Sequence, residues 1–497
     1  MGMRRDDIAA AQRAQIGLAV LSPDRPYGRI TELASKYNLS RESIYTIAER
    51  AAQVLQTGMQ PRQHGPQVKA KTISVERPRL VRSIGQLAQS GVSQRNIMAC
   101  LEEILDSSVS LGWVNARLSE LETAAMVWNE QQIPSIGESL SGDELYANGL
   151  PHLLVVGNDA LYIYNLSQEA HCDGETWTPI LQALPEHPQF ASDAGSGLAA
   201  GVKAAGITVH QLDWDHLLRP VWGQYTRLEK QAYAALAALD EREQQFDQAY
   251  TEKRLQNHLE QWEKQRQEAE EMMNRLDTFE RWAQQIDECF AFVDPETGHF
   301  PDSQTLIAQL QTVGEQMGHW SGRIYQKLAG HLAHWAHKLF SYHPHLQEAY
   351  SPLLVRYGQA AVHALSAIWQ IEAHEKRQQP TRTQQQALQP LWEQHLDVAV
   401  EHLGEERLWE AWQAISSLLG RSWRGSMLAE CVNSLLRPRL NARQHTDQGC
   451  LELFRFFHNL RPFQRGKRKG YSPAQLVGLD TPDDPFSLLG LPSKVSS

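Results

Sequence analysis

Residues 151–166, PHLLVVGNDALYIYNL, contain two runs of β-branched, leucine and aromatic residues on either side of a Gly-Asn-Asp turn. Two such runs around a turn sequence predict a β-hairpin. Beyond it, residues 177–184 are predicted as a short helix, 190–192 as a strand, 197–205 as a helix and 207–212 as another strand. Strands that alternate with helices in this way predict an α/β domain.

Three acidic residues accompany these elements. Asp143 precedes the hairpin in SLSGDELYANG, Asp193 follows the strand 190–192 in FASDAGSGL, and Glu430 lies on a predicted helix, GSMLAECVNSLLRPRL. Carboxylates on a strand, at the end of a neighbouring strand and on a helix packed against both can converge. Carboxylate oxygens suit Mg²⁺ or Mn²⁺, and two such ions about 3.5–4 Å apart can promote phosphodiester cleavage.

The distance along the chain between Asp193 and Glu430 is long for one compact domain. Residues 225–420 fill it with a predicted all-α block, in which residues 226–288 suggest a long pair of partly coiled-coil helices. Glu401 and Glu405, also on predicted helices, are alternatives for the third acid.

The first 57 residues are predicted to form a helix-turn-helix unit. Ala34, Asn38 and Ile44 have its characteristic spacing: a small residue lets two helices approach, Asn tolerates a left-handed turn, and Ile packs the second helix onto the first. Ser40 is the predicted N-cap of that second helix.

Residues 79–130 are predicted as a second unit of the same kind. Leu87, Gly91 and Ile97 repeat the spacing, with Ser93 as the cap, and a further helix follows from residue 110 to 128. One such match would also suit any three-helix core, but two in tandem favour DNA recognition. The segment 58–78 between the units is basic and rich in Gly, Pro and Gln, which predicts a linker. The candidate DNA contacts of this region are Arg41, Tyr45, Lys69, Lys71 and Arg95.

The charge distribution supports nucleic-acid binding, although the net charge of −11 alone does not. Residues 1–90 carry 14 Lys and Arg against 7 Asp and Glu, and residues 421–470 carry 11 against 3. Basic ends around an acidic middle are typical of a protein that contacts phosphates at particular places, although chance clustering on solvated surfaces would look similar. The five cysteines form no CxxC pair, which argues against a zinc finger or a disulfide framework. The sequence lacks an apolar run of about 18 residues, and residues 1–15 lack a signal peptide's apolar core.

An ordered series of motifs resembles the DDE transposases of bacterial insertion sequences. After the paired helical units, the series runs through GDELY (142–146), DGETWTPIL (173–181), SDAGSGL (192–198), HQLDWDHLL (210–218), E-x-x-N-S-x-x-R at Glu430, Asn433, Ser434 and Arg437, then N-x-R-x-F (459–463) and GKRKGYSP (466–473). The resemblance implies a multidomain protein whose RNase H-like α/β catalytic core is interrupted by the all-α insertion. It makes Asp143, Asp193 and Glu430 the catalytic triad and the ligands of two Mg²⁺ or Mn²⁺ ions. The implied domains are 1–57, the linker 58–78, 79–130, the core in two parts (131–224 and 421–480), the insertion 225–420 and a flexible C-terminus, 481–497.

Further residues gain candidate roles from the same resemblance. His216, Asn433 and Arg437 would support the active site, although an ordinary packed strand-to-helix junction would also explain His216. The basic loop near the C-terminus would contact the DNA backbone through Arg465, Lys467, Arg468 and Lys469. A solvated, solubilising surface is the alternative for this loop.

The expected activity is binding of an element's terminal inverted repeats, metal-dependent strand cleavage and strand transfer into target DNA. The expected partners are double-stranded DNA and further copies of the chain, as a dimer or larger oligomer. The location would be the bacterial cytoplasm, at the nucleoid. Two alternatives remain open: a catalytically silent descendant that regulates or scaffolds on DNA, and an RNase H-like nuclease that cuts without joining.

Overall fold

The computed structural model is mostly helical and contains one five-stranded sheet. It describes residues 8–59, 75–105, 108–132, 134–135, 137, 139–184, 189–247, 252–378, 382–421, 424–441 and 446–493. The chain divides into two compact units, residues 1–74 and 75–497. Among the described residues, no helix combines the length and the apolar character needed to cross a lipid bilayer.

The first unit consists of three helices, α1 (Ala10–Leu21), α2 (Arg29–Lys36) and α3 (Arg41–Gly58). The two local predictions about its turn are confirmed. Asn38 adopts a left-handed conformation with φ of 51°, and the Ser40 hydroxyl caps α3 by accepting a hydrogen bond from the Ser43 amide at 3.1 Å. Ile44 is fully buried against α1 and α2, so the turn sets the angle at which α3 packs.

The second unit begins with a similar arrangement of α4 (Arg77–Gln89), α5 (Gln94–Leu105) and α6 (Leu111–Gln131). Here Gly91 supplies the left-handed turn with φ of 84°, and the Ser93 hydroxyl accepts from the Asn96 amide at 3.3 Å. Ile97 is fully buried, as its place in the spacing predicts.

Five strands form the sheet in the order β3-β2-β1-β4-β5. They are β1 (Ser139–Ala147), β2 (Leu150–Gly157), β3 (Ile163–Gln168), β4 (Gln189–Ser192) and β5 (His210–Leu212). The first three are antiparallel neighbours, whereas β4 and β5 run parallel to β1. The predicted hairpin is therefore present as β2 and β3. Asp143 precedes this hairpin, as expected, and lies on β1, which belongs to the same sheet.

Helices cover both faces of the sheet. On one face, α7 (Gly174–Gln182) and α8 (Ser196–Ala204) pack through the fully buried Trp177. On the other, α16 (Met427–Asn441) packs onto β1 and β2, and α17 (Gln448–Leu460) contributes to both layers. The last part of the second unit thus returns to cover the sheet that its middle part forms.

Between β5 and α16 the chain is helical, as predicted. The long helices α9 (Asp215–Asp247) and α10 (Glu252–Glu288) pack against each other. The block continues with α11 (Ser303–Gly318), α12 (Arg323–Leu339), α13 (His343–Tyr357), α14 (Gln359–Gln378) and α15 (Arg382–Leu419), which is interrupted at Gly404. Helical structure begins at Asp215, about ten residues earlier than expected, directly after β5.

The C-terminal segment departs from the expectation of a flexible tail at 481–497. After α18 (Pro473–Leu476), residues Pro485–Leu489 form a 3₁₀ helix. Phe486 and Leu489 are buried in the core that α7, α8 and α17 form with the sheet, and the Asp484 carboxylate forms a 2.7 Å ion pair with Arg82 on α4. The segment was predicted as a tail because it is rich in Pro, Ser and Leu, but its apolar side chains pack into the protein.

Candidate active site

The sheet places two of the predicted acids side by side. In the parallel pairing of β1 with β4, Gly142 lies opposite Ser192, and Asp143 and Asp193 are the next residues of the two strands. This register places Asp193, just past the end of β4, next to Asp143 in the middle of β1.

Asp143 is half-buried on the face of β1 that α16 covers. Its Oδ2 accepts a hydrogen bond from Asn433 Nδ2 at 2.7 Å, and its Oδ1 accepts from the Glu144 amide at 2.9 Å. Burial raises the pKa of Asp143 to about 6, and the negative charges of Asp193 and Glu430 contribute to the rise. The three predicted acids are therefore close enough for their charges to act on one another.

Glu430 comes to the site on the first turn of α16. Asn433 follows three residues later and so lies on the same side of the helix. Asn433 is almost fully buried, and its Oδ1 has no hydrogen-bond partner. The exposed guanidinium of Arg219 on α9 lies 3.8 Å from Glu430 Oε2. Arg437 is exposed one turn beyond Asn433.

The two alternative acids lie elsewhere. Glu401 and Glu405 are exposed on α15, near the interruption at Gly404. Glu430, by contrast, acts electrostatically on both Asp143 and His216. Of the three candidates for the third acid, the electrostatic effect on Asp143 and His216 favours Glu430.

A tight turn after β4 holds Asp193. Its Oδ1 accepts from the Gly195 amide at 2.9 Å. A Cβ atom on Gly195 would stand 2.9 Å from that oxygen and 3.4 Å from Glu144 Oε2. A larger residue at position 195 would therefore push one or both of these carboxylate side chains aside.

Glu144 is a fourth carboxylate, which the sequence analysis did not select. It lies on the opposite face of β1 from Asp143, and Trp177 Nε1 donates to its Oε1 at 3.0 Å. Burial raises the pKa of Glu144 to about 7, and the charges of Asp193 and Asp143 add to the effect. Its position in GDELY, directly after Asp143, was the available signal.

His216 lies at the start of α9, beside the acids. Its Nδ1 is 3.7 Å from Asp213 Oδ2, which is too long for a direct hydrogen bond. The pKa of His216 is raised, chiefly by Asp213 and also by the charges of Asp193 and Glu430. His216 therefore shares the electrostatic environment of the site without contacting the carboxylate of Asp193 or Glu430 through any hydrogen bond found among the described residues.

The predicted basic loop docks onto the β2–β3 turn. Arg468 donates to the carbonyl oxygens of Asp159 and Asn158 at 2.7 and 2.8 Å, and Lys467 Nζ donates to the Gly420 carbonyl at 3.3 Å. These carbonyl oxygens carry no negative charge, so the hydrogen bonds do not neutralise the positive charges of Arg468 and Lys467. Arg465 and Lys469 are exposed on the same loop.

A cavity of about 380 Å³ lies between this loop and the start of α16. Lys467 and Arg468 line one side of it, Arg421 another, and Met427, on the first turn of α16, a third. Burial lowers the pKa of both Lys467 and Arg468, and repulsion between their charges lowers that of Lys467 further. An anionic group bound there would offset this repulsion.

The predicted N-terminal DNA contacts have the exposure that their role needs. Arg41 and Tyr45 are exposed one turn apart on α3, and Arg95 is exposed on α5. Lys69 and Lys71 lie outside the described residues.

The carboxylate and amide oxygens of the site are the ligands that a hard divalent cation prefers, but the side chains are spread apart. Among the residues that the structure describes, no three Asp, Glu, His or Cys side chains are grouped closely enough to hold a metal ion. Two observations nevertheless fit a cation. Asp193 and Glu430 repel the negative charge of Asp143 and add to the rise in its pKa, which burial dominates, and the buried Oδ1 of Asn433 lacks a partner beside them.

The chain was compared with known proteins. No protein-family model matches it, and a search of curated proteins finds no matching relative.

Proposed function

We propose that this chain is a DNA transposase of the DDE type, which cuts and joins DNA strands with metal ions held by Asp143, Asp193 and Glu430. The observation that carries the proposal is the convergence of these residues. They come from β1, the end of β4 and α16, and Asn433, 290 positions from Asp143 in the chain, is hydrogen-bonded to it. Nothing in local packing requires three mutually repelling carboxylates at one edge of a sheet, whereas metal-dependent catalysis does.

The sheet supports an RNase H-like catalytic core. Such a core combines three antiparallel strands with parallel strands that are connected through helices, and β1–β5 have this arrangement. The helices α9–α15 then correspond to an insertion between the second and third acids.

Each acid would have a defined part in the chemistry. Two Mg²⁺ or Mn²⁺ ions, when bound, activate a water or 3′-hydroxyl and stabilise the leaving oxygen. Asp143 and Asp193 supply oxygen ligands from the sheet, and Glu430 supplies them from α16. Asn433 orients Asp143 through its Nδ2 hydrogen bond, and His216 places a positive charge near the phosphate when it is protonated.

The helical units and the basic loop would bind the DNA. The first helical unit and α4–α6 place α3 and α5 after tight turns, as helix-turn-helix proteins place their recognition helices. Lys467, Arg465 and Lys469 would contact the phosphates next to the cut. Two or more copies of the chain would pair the two ends of the element.

Strand cleavage tests this proposal. The substrate is a labelled duplex carrying the inverted repeats that flank the coding sequence, incubated with Mg²⁺ or Mn²⁺. We expect the wild type and Asp240→Asn, an exposed acid on α9, to cut, and Asp193→Asn to bind the duplex without cutting it. Binding without cutting by the wild type would favour the silent DNA-binding descendant, and cutting without any joined product would favour the nuclease.

A further inference from the structure

The helical block leaves the sheet and returns to it at neighbouring points. It leaves after β5, at Asp213 and Trp214, and returns just before α16, at Arg424 to Ser426. The two segments are hydrogen-bonded: the Trp214 amide donates to the Arg424 carbonyl at 3.3 Å. More than 200 residues of chain therefore begin and end at one junction, next to the acidic site.

The Asp213 carboxylate is the centre of this junction. It is only 5% exposed, and its Oδ2 accepts from both the amide and the hydroxyl of Ser426, at 2.8 and 2.7 Å. Its Oδ1 accepts from the Asp215 amide at 2.8 Å. Burial alone would raise the pKa of Asp213, but the neighbouring His216 side chain and the hydrogen bonds from Ser426 and the Asp215 amide outweigh burial, and the pKa is lowered, so the group is ionised at neutral pH.

The contact acts on the start of α16 as a helix cap from a distant part of the chain. The first amides of a helix lack intrahelical partners. The Asp213 carboxylate satisfies one of them, the Ser426 amide, and its negative charge complements the helix dipole. The fit is close, since a Cβ atom on Gly425 would stand 2.9 Å from Asp213 Oδ1.

Asp213 links two of the proposed catalytic acids through a short series of hydrogen bonds. Its own amide donates to the Ser192 carbonyl at 2.8 Å, directly before Asp193. Its carboxylate binds Ser426, whose carbonyl accepts from the Glu430 amide at 3.3 Å. The strand end that carries Asp193 and the helix turn that carries Glu430 are thereby fixed relative to each other.

We propose that Asp213 is a positioning residue, whose carboxylate holds the first turn of α16 so that Glu430 faces Asp143 and Asp193. This inference rests on the proposed function in assigning Glu430 to the metal site. It also explains how a large helical insertion leaves the geometry of the acids undisturbed, because the insertion is closed off at its base.

Two measurements on the full chain test the proposal. Hydrogen–deuterium exchange of residues 427–437 reports how firmly the first turns of α16 are held. The Mg²⁺ concentration for half-maximal cleavage reports whether Glu430 is in place. The variants are Asp213→Ala, Asp213→Asn and Ser426→Ala, which removes only the hydroxyl bond. The control is Asp447→Ala, which removes the cap of the neighbouring helix α17, where Asp447 accepts from the Cys450 amide at 2.9 Å.

We expect Asp213→Ala to increase both exchange in α16 and the Mg²⁺ requirement about tenfold, the difference that about 1.4 kcal/mol produces. Asp213→Asn and Ser426→Ala should have smaller effects in the same direction, and they replace Asp213→Ala if that variant does not fold. Asp447→Ala should leave both readouts within about twofold of the wild type, at a comparable loss of thermal stability.

Unchanged exchange in α16, or equal effects of Asp213→Ala and Asp447→Ala on the Mg²⁺ requirement, would overturn the positioning role. A wild type that cuts no DNA would instead refute the proposed function. In that case the exchange comparison alone supports or overturns the role of Asp213.

Discussion

Neighbouring residues on β1 lie in different environments because the side chains of a strand alternate between its faces. Asp143 faces α16 and Asn433, whereas Glu144 faces Trp177 on α7. Both carboxyls are half-buried near other negative charges, and the pKa of each is raised, to about 6 for Asp143 and about 7 for Glu144. Without metal, the site therefore destabilises the ionised protein at neutral pH.

Glu144→Gln should stabilise the metal-free chain at about pH 8. The raised pKa means that ionised Glu144 opposes folding above pH 7, and the neutral amide removes this effect while still accepting from Trp177. Because the side chain is half-buried, we expect about 1–2 kcal/mol rather than the full value of the shift. The gain should fade as the pH falls from about 7 to about 4.5, where wild-type Glu144 becomes protonated. Urea unfolding at several pH values measures it, and a gain that does not change with pH would contradict this explanation.

The positive residues of the basic loop have two different roles, contact with DNA and attachment of the loop to the protein. Lys469 is exposed, whereas Arg468 docks the loop through the carbonyls of Asn158 and Asp159. Lys469→Gln should weaken DNA binding and reduce the slope of log affinity against log salt by about 0.9, without changing the melting temperature. Arg468→Gln should reduce both affinity and melting temperature, since the carbonyls of buried Asn158 and of Asp159 lose their donor. Equal melting temperatures for the two variants would argue against the docking role.

Asp143, Asp193 and Glu430 could be selected from sequence because each sits in a distinctive motif at a predicted strand or helix. Glu144 could not be distinguished in the same way. Its link to Asp193 depends on the turn at Gly195, which returns beneath β1, and no spacing within GDELY encodes that approach. The role of Asp213 likewise depends on Ser426, 213 positions later in the chain.

The turn between β1 and β2 has a clear sequence signal, but this turn was not predicted. Asn148 and Gly149 join β1 to β2 with φ values of 53° and 80°. An Asn-Gly pair with positive φ at both positions is a strong hairpin signal. It was present in YANGLPHLL, although only the following hairpin was predicted. The helices were easier to place, since their apolar periodicity extends over more residues than the three of β5.

The helix α3 offers a direct test of the proposed DNA-reading unit. Arg41 and Tyr45 lie one turn apart and are exposed, and Arg50, nine residues after Arg41, lies on the opposite side of the helix. Arg41→Ala and Tyr45→Ala in the full chain should each weaken binding to the element-end duplex about tenfold, as loss of a good base or phosphate contact does. Arg50→Ala should change it less than twofold. Fluorescence anisotropy measures all three, and equal losses would indicate nonspecific attraction instead.

At the scale of the whole molecule, the sequence predicted the order of the parts better than their contacts. The basic ends, the α/β middle and the long helical block follow from composition and periodicity. The junction at Asp213 and the packing of Phe486 and Leu489 into the core could not be predicted from local patterns. They join residues that are far apart in the chain, and a single sequence gives no information about such pairs.

The proposed function requires residues from three distant segments of the chain to form one metal centre. Mn²⁺ binding to the full chain on the element-end duplex, followed by electron paramagnetic resonance, tests it most directly. We expect about two Mn²⁺ ions per wild-type chain, and a loss of at least one in each of Asp143→Asn, Asp193→Asn and Glu430→Gln. Glu401→Gln should bind as the wild type does. Equal Mn²⁺ binding by the wild type and all three variants would contradict the claim.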